Sequence, residues 1–185
     1  MNTRSLAAAG VAVVLSACSS TPMSTSMTAP MMAVDNATLP EPVRVPAGQK
    51  VRMTATGVGE LTYECRAKAD PAGAHEWVFV GPVANLMSSD RKTVGKYYAG
   101  PTWESADGSK ITGKQVAVAP ASAGNIPLQL VKTDPAVGAG AMNGVTYIQR
   151  VNTKGGVAPT MACDAAGMGK KQTVPYQADY VFYGS

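Results

Sequence analysis

Short alternating runs of hydrophobic and polar residues mark the chain from Leu39 onward, and Gly, Pro and Asn separate them. A period of two residues is typical of β-strands that bury one face. The last run is the clearest, because every second residue from Tyr176 to Phe182 is aromatic or alanine. The pattern predicts about nine short strands, over residues 50–56, 60–67, 76–80, 84–87, 94–98, 115–119, 128–132, 144–151 and 174–183.

The first two predicted strands, residues 50–56 and 60–67, are expected to form a hairpin. Between them lies Gly57-Val58-Gly59, whose glycines can adopt the positive φ that a tight turn needs. No run has helical spacing over a dozen residues. An antiparallel arrangement is the simplest way to bury one face of so many short strands. The sequence therefore predicts an all-β domain, a sandwich or a barrel, with long loops.

The N-terminus resembles a bacterial export signal. One basic residue, Arg4, precedes an apolar run from Leu6 to Leu15 that is too short to span a bilayer. The run ends in Leu15-Ser16-Ala17-Cys18, which looks like a lipobox, where the signal is cut before the cysteine and the thiol is acylated. The alternative is an ordinary cleavage site with an incidental cysteine. We expect lipidation at Cys18, which would make the membrane a partner through this anchor.

The segment after the lipobox is rich in Ser, Thr, Met and Pro and has no strand or helix periodicity, which is typical of a tether. The sequence thus predicts a signal peptide over residues 1–17, a lipidated tether over residues 18–38 and one β domain over residues 39–185. Ser19 rather than an aspartate follows the cysteine, which favours transit to the outer membrane. We expect an exported protein of the bacterial cell envelope that faces the periplasm or the exterior.

Charge is sparse and spread along the chain. The 185 residues include 16 Lys and Arg against 12 Asp and Glu, a net charge of +4, and 15% of residues are charged. Basic residues are scattered mostly as single residues, so no stripe suited to a phosphate backbone is present and no nucleic-acid partner is expected. With 45% hydrophobic residues the chain can bury a core, which excludes wholesale disorder.

The chain has three cysteines, and lipidation of Cys18 would leave two. An even number of thiols in an oxidising compartment is expected to pair, so we predict a disulfide between Cys65 and Cys163. It would join the second predicted strand to the Gly-rich loop around Cys163. Two separate free thiols are the alternative.

Few residues suit catalysis. His75 is the single histidine, which excludes the multi-histidine sites of catalytic zinc and copper. No G-x-S-x-G nucleophile elbow occurs. The sequence assigns no catalytic residue, no metal ligand and no cofactor. A glycoside hydrolase needs only two carboxylates, however, and two of Glu64, Glu104 and Asp107 could form such a pair.

The densest group of unusual residues lies between Tyr97 and Asp107. Tyr97, Tyr98 and Trp103 supply aromatic faces, and Glu104 and Asp107 supply carboxylates. Aromatic faces beside a carboxylate suit a glycan or a small apolar ligand, and Trp and Tyr also favour contacts with a partner protein. These residues are candidates for a binding surface, and ordinary core packing is the default alternative.

A second group contains Arg150 and Asn152, which share one face of a predicted strand. If these side chains are buried, they need polar partners, and Glu104 or Asp107 could provide them. Both residues are candidates for binding, and a structural ion pair is the alternative.

Several motifs together resemble the family called domain of unknown function 3455. The resemblance covers roughly residues 39–183, and the motifs follow one another in the same order. It implies a secreted or envelope β domain of bacteria and fungi with no established activity. The motifs are Tyr63-Glu64-Cys65, Gly100-Pro101-Thr102-Trp103-Glu104, Asp107-Gly108-Ser109, Tyr147-Ile148-Gln149-Arg150-Val151-Asn152-Thr153, Gly155-Gly156-Val157-Ala158-Pro159, Cys163-Asp164 and Val174-Pro175-Tyr176.

Two functional hypotheses follow. The first is a non-enzymatic, lipid-anchored envelope protein, either a binding or a structural β module, that displays an aromatic loop surface to a glycan, a small apolar ligand or an envelope protein. The second is an exported hydrolase that acts on envelope polysaccharide through paired carboxylates.

Overall fold

A computed structural model describes residues 34–69 and 73–185 of the chain. These residues form eight antiparallel strands, each paired with the next, and the last strand pairs back with the first to close a barrel. The predicted all-β fold is confirmed, and of the two predicted alternatives, a sandwich or a barrel, the structure is a barrel. The strands are β1 (Lys50–Ala67), β2 (His75–Met87), β3 (Thr93–Tyr98), β4 (Thr102–Ser105), β5 (Lys110–Ala119), β6 (Leu128–Thr133), β7 (Val145–Gly155) and β8 (Lys171–Gly184).

Side chains fill the interior of the barrel, as expected for a closed sheet of eight strands. The largest buried residues there come from strands all round the wall. The predicted inward face of the last strand is confirmed, because Tyr176, Ala178, Tyr180 and Phe182 of β8 all belong to this core. Other members of the core are Leu86, Trp103, Ile111 and Ile148.

The predicted hairpin at Gly57-Val58-Gly59 is wrong, because β1 runs without a break through both glycines. Neither glycine has a positive φ. A Cβ atom on Gly59 would lie 2.1 Å from the carbonyl oxygen of Val83, and one on Gly57 would lie 2.6 Å from the ring of Tyr180. These glycines are therefore needed for the close approach of a neighbouring strand and an interior ring, not for a turn.

Two further strand predictions are corrected. Residues 76–80 and 84–87 are parts of one strand, β2, which passes through Gly81-Pro82. A proline is tolerated there because β2 pairs with β3 only from Val83 onward. Strand β4 was not predicted, since its four residues are too few to show a period.

A second apolar cluster lies on the outer face of strands β5 to β8 and is covered by the segment that precedes β1. Val43 and Val45 of that segment pack against this face. Gln149, which is fully buried, donates hydrogen bonds to Asn36 Oδ1 at 2.8 Å and to the carbonyl oxygen of Val43 at 2.7 Å, and it accepts one from Tyr183. The segment is thus attached by polar contacts that are themselves shielded from water.

The attached segment starts earlier than the predicted domain. Val34 packs against the outer cluster, and Asn36 both donates to and accepts from the backbone of Val45. Residues 34–38, predicted as the end of the tether, therefore lie against the barrel. The predicted signal peptide, the lipidation site Cys18 and the tether up to residue 33 lie outside the described residues.

The predicted disulfide between Cys65 and Cys163 is confirmed, with a Cα to Cα distance of 5.5 Å. It joins β1 to the connection between β7 and β8. Backbone hydrogen bonds from Cys65 to Lys170 and from Gly169 to Cys65 run beside it. The long connection is thereby held against the C-terminal end of β1.

One end of the barrel is closed by the loop between β6 and β7. Met142 from this loop is fully buried in the interior core. The turn between β4 and β5 holds the loop in place, because Asp107 Oδ2 accepts from the backbone N–H of Ala141 at 2.8 Å, while its Oδ1 accepts from the backbone N–H and the hydroxyl of Ser109. We call this the closed end.

The Asp107 contacts predict a pH-dependent stability. Hydrogen bonds, first from Ser109 and then from Ala141, lower the pKa of Asp107 from 3.8 to about 2. Because the folded-state pKa is depressed, the stabilisation is present above pH 3.8 and is lost as the pH falls through about 2. Asp107→Asn should lower the urea midpoint at pH 5 to 7, and its difference from the wild type should shrink at pH 2. The exposed Glu41→Gln is the control, and a pH-independent difference for Asp107→Asn would contradict the prediction.

Candidate functional site

The wall of the barrel is incomplete at the end opposite to the closed end. Strand β2 pairs with β3 only over residues 83–87, and β4 pairs with β5 only over residues 110–112 of β5. Residues 75–82 of β2 and 113–119 of β5 therefore have no strand between them. We call this gap in the wall the window.

The window exists because the β3–β4 hairpin is short. Gly100-Pro101 turns the chain back after six residues of β3, and Gly100 has a φ of 108°, a conformation that favours glycine. Residues 99–101 thus form the lower margin of the window, and a recess of about 260 Å³ lies behind it. This volume is just below the roughly 300–1,000 Å³ usual for small-molecule sites.

Apolar side chains flank the window. Phe79 lies opposite Tyr63 in the β1–β2 register, packs edge-to-face on its ring at 5.7 Å, and is still 49% exposed. Val80 on the same strand and Val116 and Val118 on β5 are also exposed. Exposed apolar residues on both margins of a recess are typical of a ligand entrance.

Polar side chains lie at the back of the recess. Arg150 of β7 pairs in register with Gln129 of β6 and with Tyr180 of β8, and it therefore shares the inward face of Tyr180. Gln129 donates a hydrogen bond of 2.6 Å to Gln115 of β5. Arg150, Gln129 and Gln115 all line the recess.

The guanidinium of Arg150 has an incomplete set of partners. Its Nε and Nη2 donate to one acceptor, the carbonyl oxygen of Pro127, at 3.3 and 3.0 Å. Within residues 34–69 and 73–185 no carboxylate forms an ion pair with it. The prediction that Glu104 or Asp107 is the partner of Arg150 is wrong. Glu104 contacts Tyr98 and Lys110, and Asp107 holds the loop at the closed end.

The charge of Arg150 acts on four tyrosines, Tyr63, Tyr97, Tyr176 and Tyr180. Burial is the main cause that raises the pKa of each of them, and the positive charge of Arg150 offsets part of the rise. They therefore stay neutral at physiological pH. Three of these hydroxyls form hydrogen bonds within the barrel. The hydroxyl oxygens of Tyr176 and Tyr180 lie 3.1 Å apart, and the Tyr63 hydroxyl donates to the carbonyl oxygen of Gly156.

The aromatic residues predicted as a displayed surface are placed differently. Trp103 is 1% exposed and Tyr97 is 5% exposed, and their rings stack at 4.8 Å inside the barrel. Tyr180 packs against both rings. Trp103 thus follows the core-packing alternative, while Tyr97 forms part of the floor of the recess. The Nε1 of Trp103 has no hydrogen-bond partner within the described part of the chain.

Tyr98 and Glu104 lie together on the outer face of the wall. The Tyr98 hydroxyl donates to Glu104 Oε2 at 2.7 Å, and Lys110 Nζ lies 3.4 Å from the same oxygen. The hydrogen bond from Tyr98 is the largest cause of a lowered pKa at Glu104. This arrangement is a solvated surface contact between neighbouring strands.

Asn152, the remaining candidate, lies at a bulge between β7 and β8, where it adopts a φ of 49°. Its side chain donates to Asp179 Oδ2 at 2.9 Å. Asn152 is exposed, and it does not line the recess with Arg150. Of the seven predicted binding residues, the structure brings together two at the window, Tyr97 and Arg150.

The carboxylates suggested for hydrolysis are divided between the two ends of the barrel. Glu64 lies late in β1, near the open end, and pairs with Arg66 and Lys171. Glu104 and Asp107 belong to the end of β4 and its turn, at the closed end. Glu64 therefore cannot pair with either of the others across one substrate.

Two other site classes find no support within the described ranges. No group of three or more His, Cys, Asp or Glu side chains there could hold a metal ion. Among the same residues no helix is long and apolar enough to cross a membrane.

Comparison with known protein families supports the resemblance noted in the sequence. The family described as Protein of unknown function (DUF3455) matches residues 46–184, which is most of the chain and the whole barrel. The chain belongs to the DUF3455 family. Searches of curated proteins and of solved structures find no match to it.

Sequence reasoning missed most of the residues at the window. Phe79, Gln115 and Gln129 lie in runs that were correctly predicted as strands, but nothing in a period of two shows which end of a strand lacks a neighbour. The only available signal was the Gly100-Pro101 turn, whose short distance from the next turn at Asp107-Gly108 implies a short hairpin.

The burial of Trp103 predicts a large effect of its removal on stability. Trp103→Ala should lower the free energy of unfolding by about 3–5 kcal/mol, because it leaves a cavity in the core of the DUF3455 barrel. Tyr98→Ala, on the outer face, should shift the urea midpoint far less, because it removes one surface hydrogen bond to Glu104 and leaves no cavity in the core. Urea unfolding of both variants is the measurement. An unchanged midpoint for Trp103→Ala would show that this ring is not part of the core.

Proposed function

We propose that this DUF3455 protein is an exported, lipid-anchored protein of the bacterial envelope whose barrel binds a small molecule at the window. The observation that supports binding most directly is the gap in the wall. It leads into a recess of about 260 Å³ that has polar side chains at its back. A barrel of eight strands can hold one small ligand in this way. Export and anchoring are proposed because residues 1–18 resemble a signal peptide that ends in a lipobox.

The recess favours a small molecule over an extended peptide. A peptide would have to add to the unpaired margins of β2 and β5 by backbone hydrogen bonds. Both margins carry a β-bulge, with Val80 and Val116 as the additional residues, and β2 also contains Pro82. Bulges and prolines disturb the regular ladder that an added strand needs. Side chains at the window, not its backbone, are therefore the proposed contacts.

A non-enzymatic role fits these placements better than hydrolysis. Glu64 lies at the opposite end of the barrel from Glu104 and Asp107, and Glu104 and Asp107 contact different partners. The recess is lined by two amides, a tyrosine, apolar groups and one arginine. The binding surface of the earlier hypothesis thus moves from an exposed aromatic loop to the window. Tyr97 and Arg150 are common to both.

Lipidation is tested at Cys18. Full-length protein expressed in a Gram-negative host should incorporate radiolabelled palmitate and sediment with outer membranes, whereas Cys18→Ser should incorporate none. Replacing Ser20 by Ala is the matched control, because it lies beside the lipobox but is not modified. Release of unmodified wild-type protein into the soluble periplasm would contradict the proposed anchor.

Binding at the window is tested with a fragment library and the complete mature chain in detergent. Fragments that bind should shift the backbone NMR signals of residues 79–82 and 99–101. Ala99→Trp should abolish these shifts, because the indole would fill the recess from its lower margin. Ala106→Trp, at an exposed alanine of the closed end, should leave them unchanged. A library in which no fragment shifts the window signals, or whose effects survive Ala99→Trp, would contradict the proposed site.

A further inference from the structure

Arg150 carries a positive charge that the barrel does not neutralise. It reaches the recess from the inner face of β7, and its polar contact in the described chain is with the Pro127 carbonyl. A guanidinium remains protonated at any physiological pH. A partly enclosed cation is costly unless an anion or several acceptors surround it, so a complementary anion gains more here than at an open surface.

The neighbouring tyrosines cannot supply that anion. Tyr97, Tyr176 and Tyr180 are buried beside Arg150, and burial raises the pKa of each hydroxyl above its ordinary value. They remain neutral hydrogen-bonding groups when the barrel is at neutral pH. Within the described ranges, no anionic side chain therefore balances this half-buried cation, and an anion that enters through the window would be its first ionic partner.

The number of charges at the window limits the charge of the ligand. Among the described residues that line the recess, Arg150 is the only charged one. One monoanion neutralises it, whereas a phosphate dianion would leave a second charge without a partner. A planar carboxylate also matches the fork of N–H donors on a guanidinium. Two amides, Gln115 and Gln129, lie in the same recess and can contact the polar head of the ligand.

The rest of the lining determines the body of the ligand. Phe79, Pro82, Pro101 and Val131 present apolar surface to the recess. A volume of about 260 Å³ is small for a drug-sized molecule. We infer that the window takes a compact organic monocarboxylate, whose carboxylate pairs with Arg150 and whose apolar or aromatic body packs between Phe79 and Pro101. This inference rests on the proposed function and names the ligand class of the same site.

Sodium benzoate, its neutral analogue benzamide and inorganic phosphate are the probes. They are titrated into the complete mature chain in detergent and followed by the backbone NMR signals of the window. Benzoate should bind at least about 10-fold more tightly than benzamide, since a charge-assisted hydrogen bond is lost with the carboxylate. Phosphate should bind more weakly than benzoate. The dissociation constant of benzoate should not change between pH 6 and 9.

Three variants assign the effect to Arg150. Arg150→Gln keeps a donor for the Pro127 carbonyl but removes the charge, and it should weaken benzoate at least about 10-fold while leaving benzamide unchanged. Arg91→Gln removes the same charge from an exposed turn at the closed end and should leave benzoate binding unchanged. Gln129→Glu places a carboxylate opposite Arg150 in the register, so it should also weaken benzoate at least about 10-fold.

The outcomes separate the two proposals. If benzoate and benzamide shift the window signals with equal affinity, the window is a ligand site but the carboxylate inference is wrong. The inference is also wrong if benzoate binds Gln129→Glu as tightly as the wild type, a result that does not depend on the folding of Arg150→Gln. If only peptides with a free C-terminal carboxylate bind, the ligand is a protein terminus and the small-molecule class is wrong. If neither benzoate nor any library fragment shifts these signals, the proposed function itself fails.

Discussion

The height of the barrel wall depends on the β3–β4 hairpin. In a closed sheet every strand pairs with a neighbour on both sides. This complete pairing extends only over the length of the shortest strands. Strand β1 has 18 residues and β4 has four, which correspond to roughly 60 Å and 13 Å at about 3.3 Å per residue. The turn at Gly100-Pro101 therefore decides where closure stops. Above it, side chains that would be enclosed in a regular barrel are accessible from outside.

The core and the candidate site are built from the same aromatic residues. Trp103, Tyr97 and Tyr180 pack against one another and fix the floor of the recess. Because these rings are rigid and buried, the inward residues next to them have little freedom to move. Arg150 is held beside that floor by the Pro127 carbonyl, and its charge faces an environment of neutral hydroxyls and amides. The aromatic packing at the floor of the recess thus helps to fix where the charge of Arg150 lies.

Local pattern predicted the strands better than it predicted their ends. The two-residue period correctly identified the inward face of β8 and the positions of β3 and β6, because burial of one face produces that period directly. The same period wrongly predicts a break in β1 at Gly57 and in β2 at Gly81-Pro82. The glycines there allow close tertiary contacts, and the chain does not turn at either place. The disulfide was predictable from the cysteine count. The window was not, because it results from a difference in length between strands that are distant in sequence.

The same distance limits what could be said about candidate residues. The sequence makes Arg150 a candidate because it shares a strand face with Asn152, but its environment depends on β6 and β8 and on the loop at Pro127. The aromatic group from Tyr97 to Trp103 was noticed as a cluster, and the alternation of the two short strands then sends Tyr98 outward and the other two rings inward. Composition showed which residues were unusual, and the register decided which of them meet.

The two bulges and Pro82 at the margins of the window also affect how copies of the barrel behave toward one another. Two regular, unpaired strand edges that meet can join into a continuous sheet. Val80 and Val116 interrupt the spacing of backbone donors and acceptors on both margins. The barrel can therefore keep an opening in its side without offering the margins of that opening as a template for polymerisation.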